Sequence, residues 1–326
     1  MLYKKKVLLL TTLVGFLALV YALTLFFDPE RVNSRNAAFL WLDPKFRDQA
    51  DSIELSRPGD WANPQRLARR GNDWFALLGD EEFPAKSSRV DDLLRALSVR
   101  AAYPVRGSAP ASHGPMGVAE NSAARILVKG GAGLPLLDLL IGGRDASGME
   151  VYLRKNGQNE VRSGQDTLST YINGVGSSWY NLRIFPTIDQ SLVQRLTLIP
   201  LPSDETGEQG PSLVITRNGG GWSIAGLEDG TVDTQKVESY IRGVLEAEGE
   251  NFVPNLKAAS ASLNEGRITL ELGNRSTLTL SVGSLPDAGE EKRRAAAASG
   301  SSYVYTLADW TVTRLFRDSA YFVKQE

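Results

Sequence analysis

The chain contains no cysteine. That excludes disulfides, thiolate metal sites, a cysteine nucleophile and an anchor built on a lipid-carrying cysteine. It contains a single histidine, His113, so a zinc site built on histidines and a two-histidine iron site fall away as well. No excess of positive charge exists: 36 Lys and Arg stand scattered among 38 Asp and Glu. A nucleic-acid face needs a basic patch, and no nucleic-acid partner is expected. Long hydrophobic runs are missing too, with one exception at the N-terminus.

That exception is Val7 to Phe27, an uncharged stretch preceded by Lys4, Lys5 and Lys6. At about 1.5 Å per residue it reaches roughly 31 Å, the thickness of a bilayer core. Residues 1–27 therefore read as cytoplasmic lysines and a transmembrane anchor, with everything after them outside. Val20-Tyr21-Ala22 offers a weak signal-peptidase site. The apolar run continues past it to Phe27, however, and cleavable segments are shorter. Without the three lysines the exported part has 33 basic residues (36 less three) against 38 acidic ones. Residues 28–47 read as a juxtamembrane linker in which Phe39 and Trp41 suit a membrane interface.

The chain beyond this linker repeats itself. Arg69 opens RRGNDWFALLGDEEFPAKSSRVDDLLRALSVR, and Arg217 opens RNGGGWSIAGLEDGTVDTQKVESYIRGVLEAE. Trp74 aligns with Trp222, and Arg89 to Leu97 aligns with Lys236 to Val244. Upstream, Ser52 to Leu55 resembles Arg195 to Leu198. Downstream, Ala124 to Val128 resembles Gly266 to Leu270, and Leu137 to Gly142 resembles Leu278 to Gly283. Ser177-Ser178-Trp179-Tyr180 and Ser319-Ala320-Tyr321-Phe322 close the two copies. Five segments in the same order give two tandem modules, residues 48–186 and 187–326. In the first, alternation predicts strands at Ser52–Leu55, Arg66–Arg69, Trp74–Leu77, Arg125–Lys129, Leu136–Ile141, Val151–Arg154 and Glu160–Ser163. Helices are expected over Ser87–Val99, with Leu93, Leu94 and Leu97 on one face, and over Thr167–Asn173. The fold class is α+β: a mostly antiparallel sheet with helices on one face, present twice. Arg106 to Ser122 reads as an aperiodic loop. Pro286 to Gly300 reads as a mobile insertion with a solvated EEKRR run.

These residues resemble the bacterial family known as domain of unknown function 4340. The resemblance rests on Ile53, Trp74, Val90, Asp91, Leu93, Leu94, Leu97, Ile141, Gly142 and Tyr152 in the first copy. The second copy carries Trp222, Val237, Ile241, Val244 and Gly283, with Glu238 in place of the helix aspartate. Where the family often has a Tyr-Gly-Leu turn, this chain has His113-Gly114-Pro115-Met116-Gly117. The resemblance implies a protein anchored in the bacterial cytoplasmic membrane with its bulk in the periplasm. It also implies an ABC-type permease or an accessory subunit of gliding-type transport systems as partner. It implies no catalytic residue.

The residues themselves point the same way: no catalytic, cofactor-binding or metal-binding residue is expected. His113 has no acidic neighbour nearer in sequence than Glu120, so it lacks the partner of a general base. Asp91 and Asp92 are adjacent on a helix, about 100° apart, and do not converge. Asp91 lies early in its helix and suits the positive end of the dipole. Asp80-Glu81-Glu82 is the other acidic cluster. No Gly-x-Ser-x-Gly elbow is present. Gly219-Gly220-Gly221 are separated from the next helix by a tryptophan strand, so they read as a β-turn and not a phosphate loop. That helix starts near Asp233 or Thr234, with Thr234 as its cap. Trp41, Trp61, Trp179 and Trp310 are candidates for a sugar-binding surface. The leading expectation is a non-enzymatic envelope scaffold. The alternatives are a glycan- or lipid-binding module, and a carboxylate hydrolase with two acids about 5–10 Å apart across a cleft.

Overall fold

The computed structural model describes residues 12–21 and 38–324, apart from 121, 175, 204, 229–230 and 286–292. Residues 12–21 are helical. Among the described residues no helix is long and apolar enough to cross a membrane. The rest of the expected span Val7 to Phe27 lies outside the described residues. The chain forms two compact units. One gathers the described residues up to Ala76 together with those of Lys86–Ser178. The other gathers Leu77–Ala85 and the described residues from Trp179 onward.

The first unit includes a short helix α1 (Pro44–Arg47), whose Asp43 cap accepts from Lys45 N–H. Then come β1 (Ser52–Arg57), β2 (Asp60–Arg70) and β3 (Asp73–Leu78). β4 (Glu81–Pro84), which the alternation did not reveal, belongs to the second unit. Helix α2 (Ser87–Ser98) precedes β5 (Val105–Gly107), β6 (Ala124–Lys129), β7 (Pro135–Arg144), β8 (Glu150–Lys155) and β9 (Val161–Gln165). A one-turn helix α3 (Ser169–Ile172) comes next. The strands of this unit run in the order β3-β2-β1-β6-β7-β8-β9-β5.

The second unit has β10 (Val193–Ile199), β11 (Leu213–Asn218), β12 (Gly221–Ile224) and helix α4 (Thr234–Leu245). After these come β13 (Asn251–Lys257), β14 (Gly266–Leu272), β15 (Thr277–Ser284), β16 (Arg294–Ala298), β17 (Tyr303–Leu307) and α5 (Asp309–Leu315). Its strand order is β12-β11-β10-β14-β15-β16-β17-β13. Element by element, this is the order of the first unit. Both sheets are mostly antiparallel, and with their helices the chain is α+β.

The registers agree as well. Ile53 faces Leu67 on one side and Val128 on the other. Leu196 faces Ile215 and Leu270. All six side chains are buried. The two 12-residue helices bury the same stripe: Val90, Leu93, Leu94 and Leu97 in α2, and Val237, Tyr240, Ile241, Val244 and Leu245 in α4. Each buried Leu, Ile or Val contributes about 1.5–3 kcal/mol relative to exposure. Tyr240 spends its hydroxyl within the core by donating to Leu315 O. Burial pushes the Tyr240 phenol far above its ordinary pKa. β4 brings Phe83 to a stacked contact with Phe252, with centroids 4.7 Å apart. Glu81, from the same strand, accepts from Lys257 Nζ and Asn255 N–H, each at 2.8 Å.

Three expectations are corrected. Arg294–Ala298 is a strand, β16, and not part of a mobile loop. Its four alanines are almost fully buried. Alanine has low strand propensity, and here the pairing with β15 and β17 overrides it. From the basic run, Arg293 pairs with Glu250 and Arg294 with Glu265, so these two arginines are held in ion pairs; residues 286–292 lie outside the described residues. The stretch Arg106 to Ser122 is not wholly aperiodic: Arg106 and Gly107 belong to β5, and Pro110–Ser112 form a 3-10 turn. Val118 is buried, and Arg154, itself buried, donates to Val118 O and Gln158 O. Third, α4 is capped by Asp233, not Thr234; its carboxylate accepts from Gln235 and Lys236 N–H. A carboxylate cap also meets the positive end of the helix dipole. The glycine turn is as expected: Asn218 pairs with Gly221, and Gly219 and Gly220 both have positive φ in the two-residue loop.

Gly142 and Gly283, equivalent in the two copies, share one physical requirement. A Cβ on Gly142 would stand 2.3 Å from Met116 O, and one on Gly283 would stand 2.1 Å from Ser262 O. In each unit a loop backbone crosses directly over the end of the strand, and only glycine leaves room for it.

Candidate functional site

The two units differ at a matched position of their long helices. Asp91 is the fifth residue of α2, and Glu238 is the fifth residue of α4. Five residues before each tryptophan stands an arginine, Arg69 before Trp74 and Arg217 before Trp222. Four residues after each acid stands another, Arg95 and Arg242. Six residues before the core residues Ile53 and Leu196 stand Arg47 and Gln190.

In the second unit these groups close on one another. Glu238 accepts from Trp222 Nε1 at 2.8 Å and from Arg217 Nη2 at 3.1 Å. Gln190 Nε2 also donates to Glu238, while its Oε1 accepts from Arg242 at 3.2 Å. The Arg217 guanidinium lies over the Trp222 ring, 4.5 Å from its centroid. Burial pushes the Glu238 carboxyl up, but the donors from Trp222, Gln190 and Arg217 outweigh it and hold the carboxyl below its ordinary value.

In the first unit the same groups stay apart around a cavity of about 360 Å³. Arg47, Arg69, Trp74, Asp91 and Arg95 line it, with Asp48, Asn72, Ser87 and Leu94. Arg47 Nε is 3.5 Å from Asp48, and Arg95 donates to Asp92 at 2.7 Å. Among the described residues Arg69 donates only to the main-chain carbonyls of Gly71 and Asp48, each at 3.1 Å. Among the described residues no group pairs with the Asp91 carboxylate. Aspartate is one methylene shorter than glutamate, and here it does not bridge to the arginine and the indole.

Elsewhere several charged groups form fixed pairs. Arg125 grips Asp138 with two bonds of 2.7 and 2.6 Å and lies 4.8 Å over the Trp61 ring. Burial raises the Asp138 carboxyl, but Arg125 and Asn156 more than reverse this and hold it below the usual range. Lys129 pairs with Glu54 at 2.7 Å. Asp92 pairs with Arg95 at 2.7 Å, while Asp91 and not Asp92 lines the cavity. The ring of His113 bonds a main-chain carbonyl, Asn159 O, at 3.1 Å. The four candidate sugar-binding tryptophans do not act alike. Trp41 and Trp179 are core residues, Trp61 donates to Ala123 O at 2.8 Å, and Trp310 is 67% exposed. Trp41 packs edge-on against Phe39 and Tyr103. Among the described residues no cluster of metal-ligating side chains occurs.

Two α+β units of one strand order define the class. The family model described as Domain of unknown function (DUF4340) matches residues 74–265. That is more than half of the chain, and the chain belongs to that family. The matched span begins at Trp74 and ends in the second copy, so it excludes Ile53 and Gly283. No curated protein and no solved structure matches.

Proposed function

We propose that this protein is a non-enzymatic, membrane-anchored scaffold or accessory subunit on the periplasmic side of the bacterial cytoplasmic membrane. Its partner is the permease or an accessory subunit of an ABC-type export or gliding-type transport complex. Val7 to Phe27 is the anchor, and the two units arose by tandem duplication of one module. The observation that carries the anchor is the outward display of apolar side chains in the helical stretch 12–21. Leu13, Val14, Phe16, Leu17 and Leu19 are each more than half exposed. Such a surface demands a lipid or protein cover. The matched strand order and the matched glycine crossings support the duplication. The transporter partner rests on the family resemblance. The non-enzymatic reading is supported by the commitment of Asp138, Glu54, Glu81 and Glu238 to structural pairs.

Crosslinking in intact membranes, followed by affinity capture of the full chain, tests the partner. Enrichment of a permease or ATPase subunit over a control carrying an unrelated span is expected. Equal recovery in both would remove the transporter reading. A second reading, an envelope glycan-binding module, is favoured by Trp310, which lines a cavity of about 410 Å³ with Glu246, Glu248 and Arg314. Retention of the chain on cell-wall glycan, lost on Trp310→Ala, would select it.

A further inference from the structure

The cavity of the first unit has a template in the second. There, the chain's own carboxylate sits against the arginine and the indole N–H, and a carboxamide bridges onward to a second arginine. In the first unit the corresponding arginine and acid, Arg69 and Asp91, line the same cavity and are not joined. The charges at its rim are matched internally: Arg47 with Asp48, and Arg95 with Asp92. The two charges left for a guest are therefore one positive and one negative. A simple anion would satisfy Arg69 but meet the carboxylate of Asp91. A simple cation would do the reverse.

We propose that the first-unit cavity is a binding site for a small zwitterion, a free amino acid or a short peptide. Its carboxylate takes the place beside Arg69 and Trp74 that the Glu238 carboxylate occupies beside Arg217 and Trp222. Its ammonium group pairs with Asp91. Arginine presents a planar fork that fits a carboxylate, and an ammonium donates three hydrogen bonds to acceptors such as Asp91. A volume of about 360 Å³ accommodates either guest. The second unit, closed on itself, binds none. This goes beyond the scaffold role and stands or falls separately from it.

The test is titration calorimetry on the full chain in detergent, with alanine, alanylalanine, acetate, methylammonium and inorganic phosphate as probes. Saturable binding of alanine or alanylalanine is expected, with affinity in about the millimolar range. The better of the two identifies the length of the guest. Asp91→Asn and Arg69→Gln are each expected to weaken it about tenfold or more, as loss of a charge-assisted bond does. Asp91→Glu restores the missing methylene. It is expected to fill the site from within, removing binding while the ligand-free melting temperature stays equal or rises. Arg217→Gln is expected to leave the affinity unchanged. The assignment is overturned if neither zwitterion saturates, if acetate or phosphate binds as tightly, or if Asp91→Asn and Asp91→Glu both bind like the parent.

Discussion

Glu238→Ala and Asp91→Ala change the same position of the same helix in two copies, and their effects should differ sharply. Glu238→Ala strips the acceptor from the indole N–H of Trp222, a residue only 7% exposed. A hydrogen bond to a charged partner at such a site is worth about 1.5–3 kcal/mol. The Arg217–Glu238 pair, each side chain about a quarter exposed, adds no more than about 1 kcal/mol. Alanine recovers a few tenths in helix propensity. The expected loss is therefore about 2–3 kcal/mol, or roughly 4–12 °C for a unit of this size. Among the described residues Asp91 has no bonded partner to lose, so Asp91→Ala should stay within about 0.5 kcal/mol. The assay is thermal unfolding of the full chain in detergent, followed by tryptophan fluorescence and circular dichroism. Equal losses for the two variants, or a larger loss for Asp91→Ala, would refute the contrast between a closed and an open cluster.

Gly283→Ala should cost about 1–3 kcal/mol or more, because its new methyl meets the Ser262 carbonyl and the backbone must move. Gly142→Ala should behave alike. Gly243→Ala, within α4 and with no atom near the added methyl, should instead stabilise by about 0.5–1 kcal/mol; urea midpoints measure all three. Asp138 has a folded pKa below its unfolded one. Its contribution is thus present above the ordinary carboxylate pKa of about 3.9 and is lost as pH falls through the lower folded value. Asp138→Asn should be less stable than the parent at pH 7, and the gap should narrow in urea titrations below about pH 4.

Much of this architecture was legible from alternation and repetition. The strands around Ile53, Ile126 and Leu139 and the helix over Ser87–Ser98 arise from patterns of apolar residues. The glycine turn before Trp222 was legible because a tryptophan strand separates it from the helix. β16 was not, because Ala295–Ala298 carries neither alternation nor strand propensity and is held by its neighbours alone. β4 was hidden behind the acidic Asp80-Glu81-Glu82 run, whose Glu81 is bound to Lys257. The site was half visible. Aligning Trp74 with Trp222 and Asp91 with Glu238 placed its members, and Arg69 and Arg217 stood in the aligned stretches. What one methylene does to the space between them depends on distances that no spacing in the sequence records.

The most direct measurement of the proposed role concerns which side of the membrane the folded units occupy. The chain has no cysteine, so Ser212→Cys, at an exposed position, supplies a single reporter. The proposal has the Ser212→Cys variant label with a membrane-impermeant maleimide in cells whose cytoplasmic membrane is intact, and the chain sediment with membranes after carbonate washing. Labelling that appears only after that membrane is broken, or release of the chain into the soluble fraction, would contradict an anchored periplasmic scaffold.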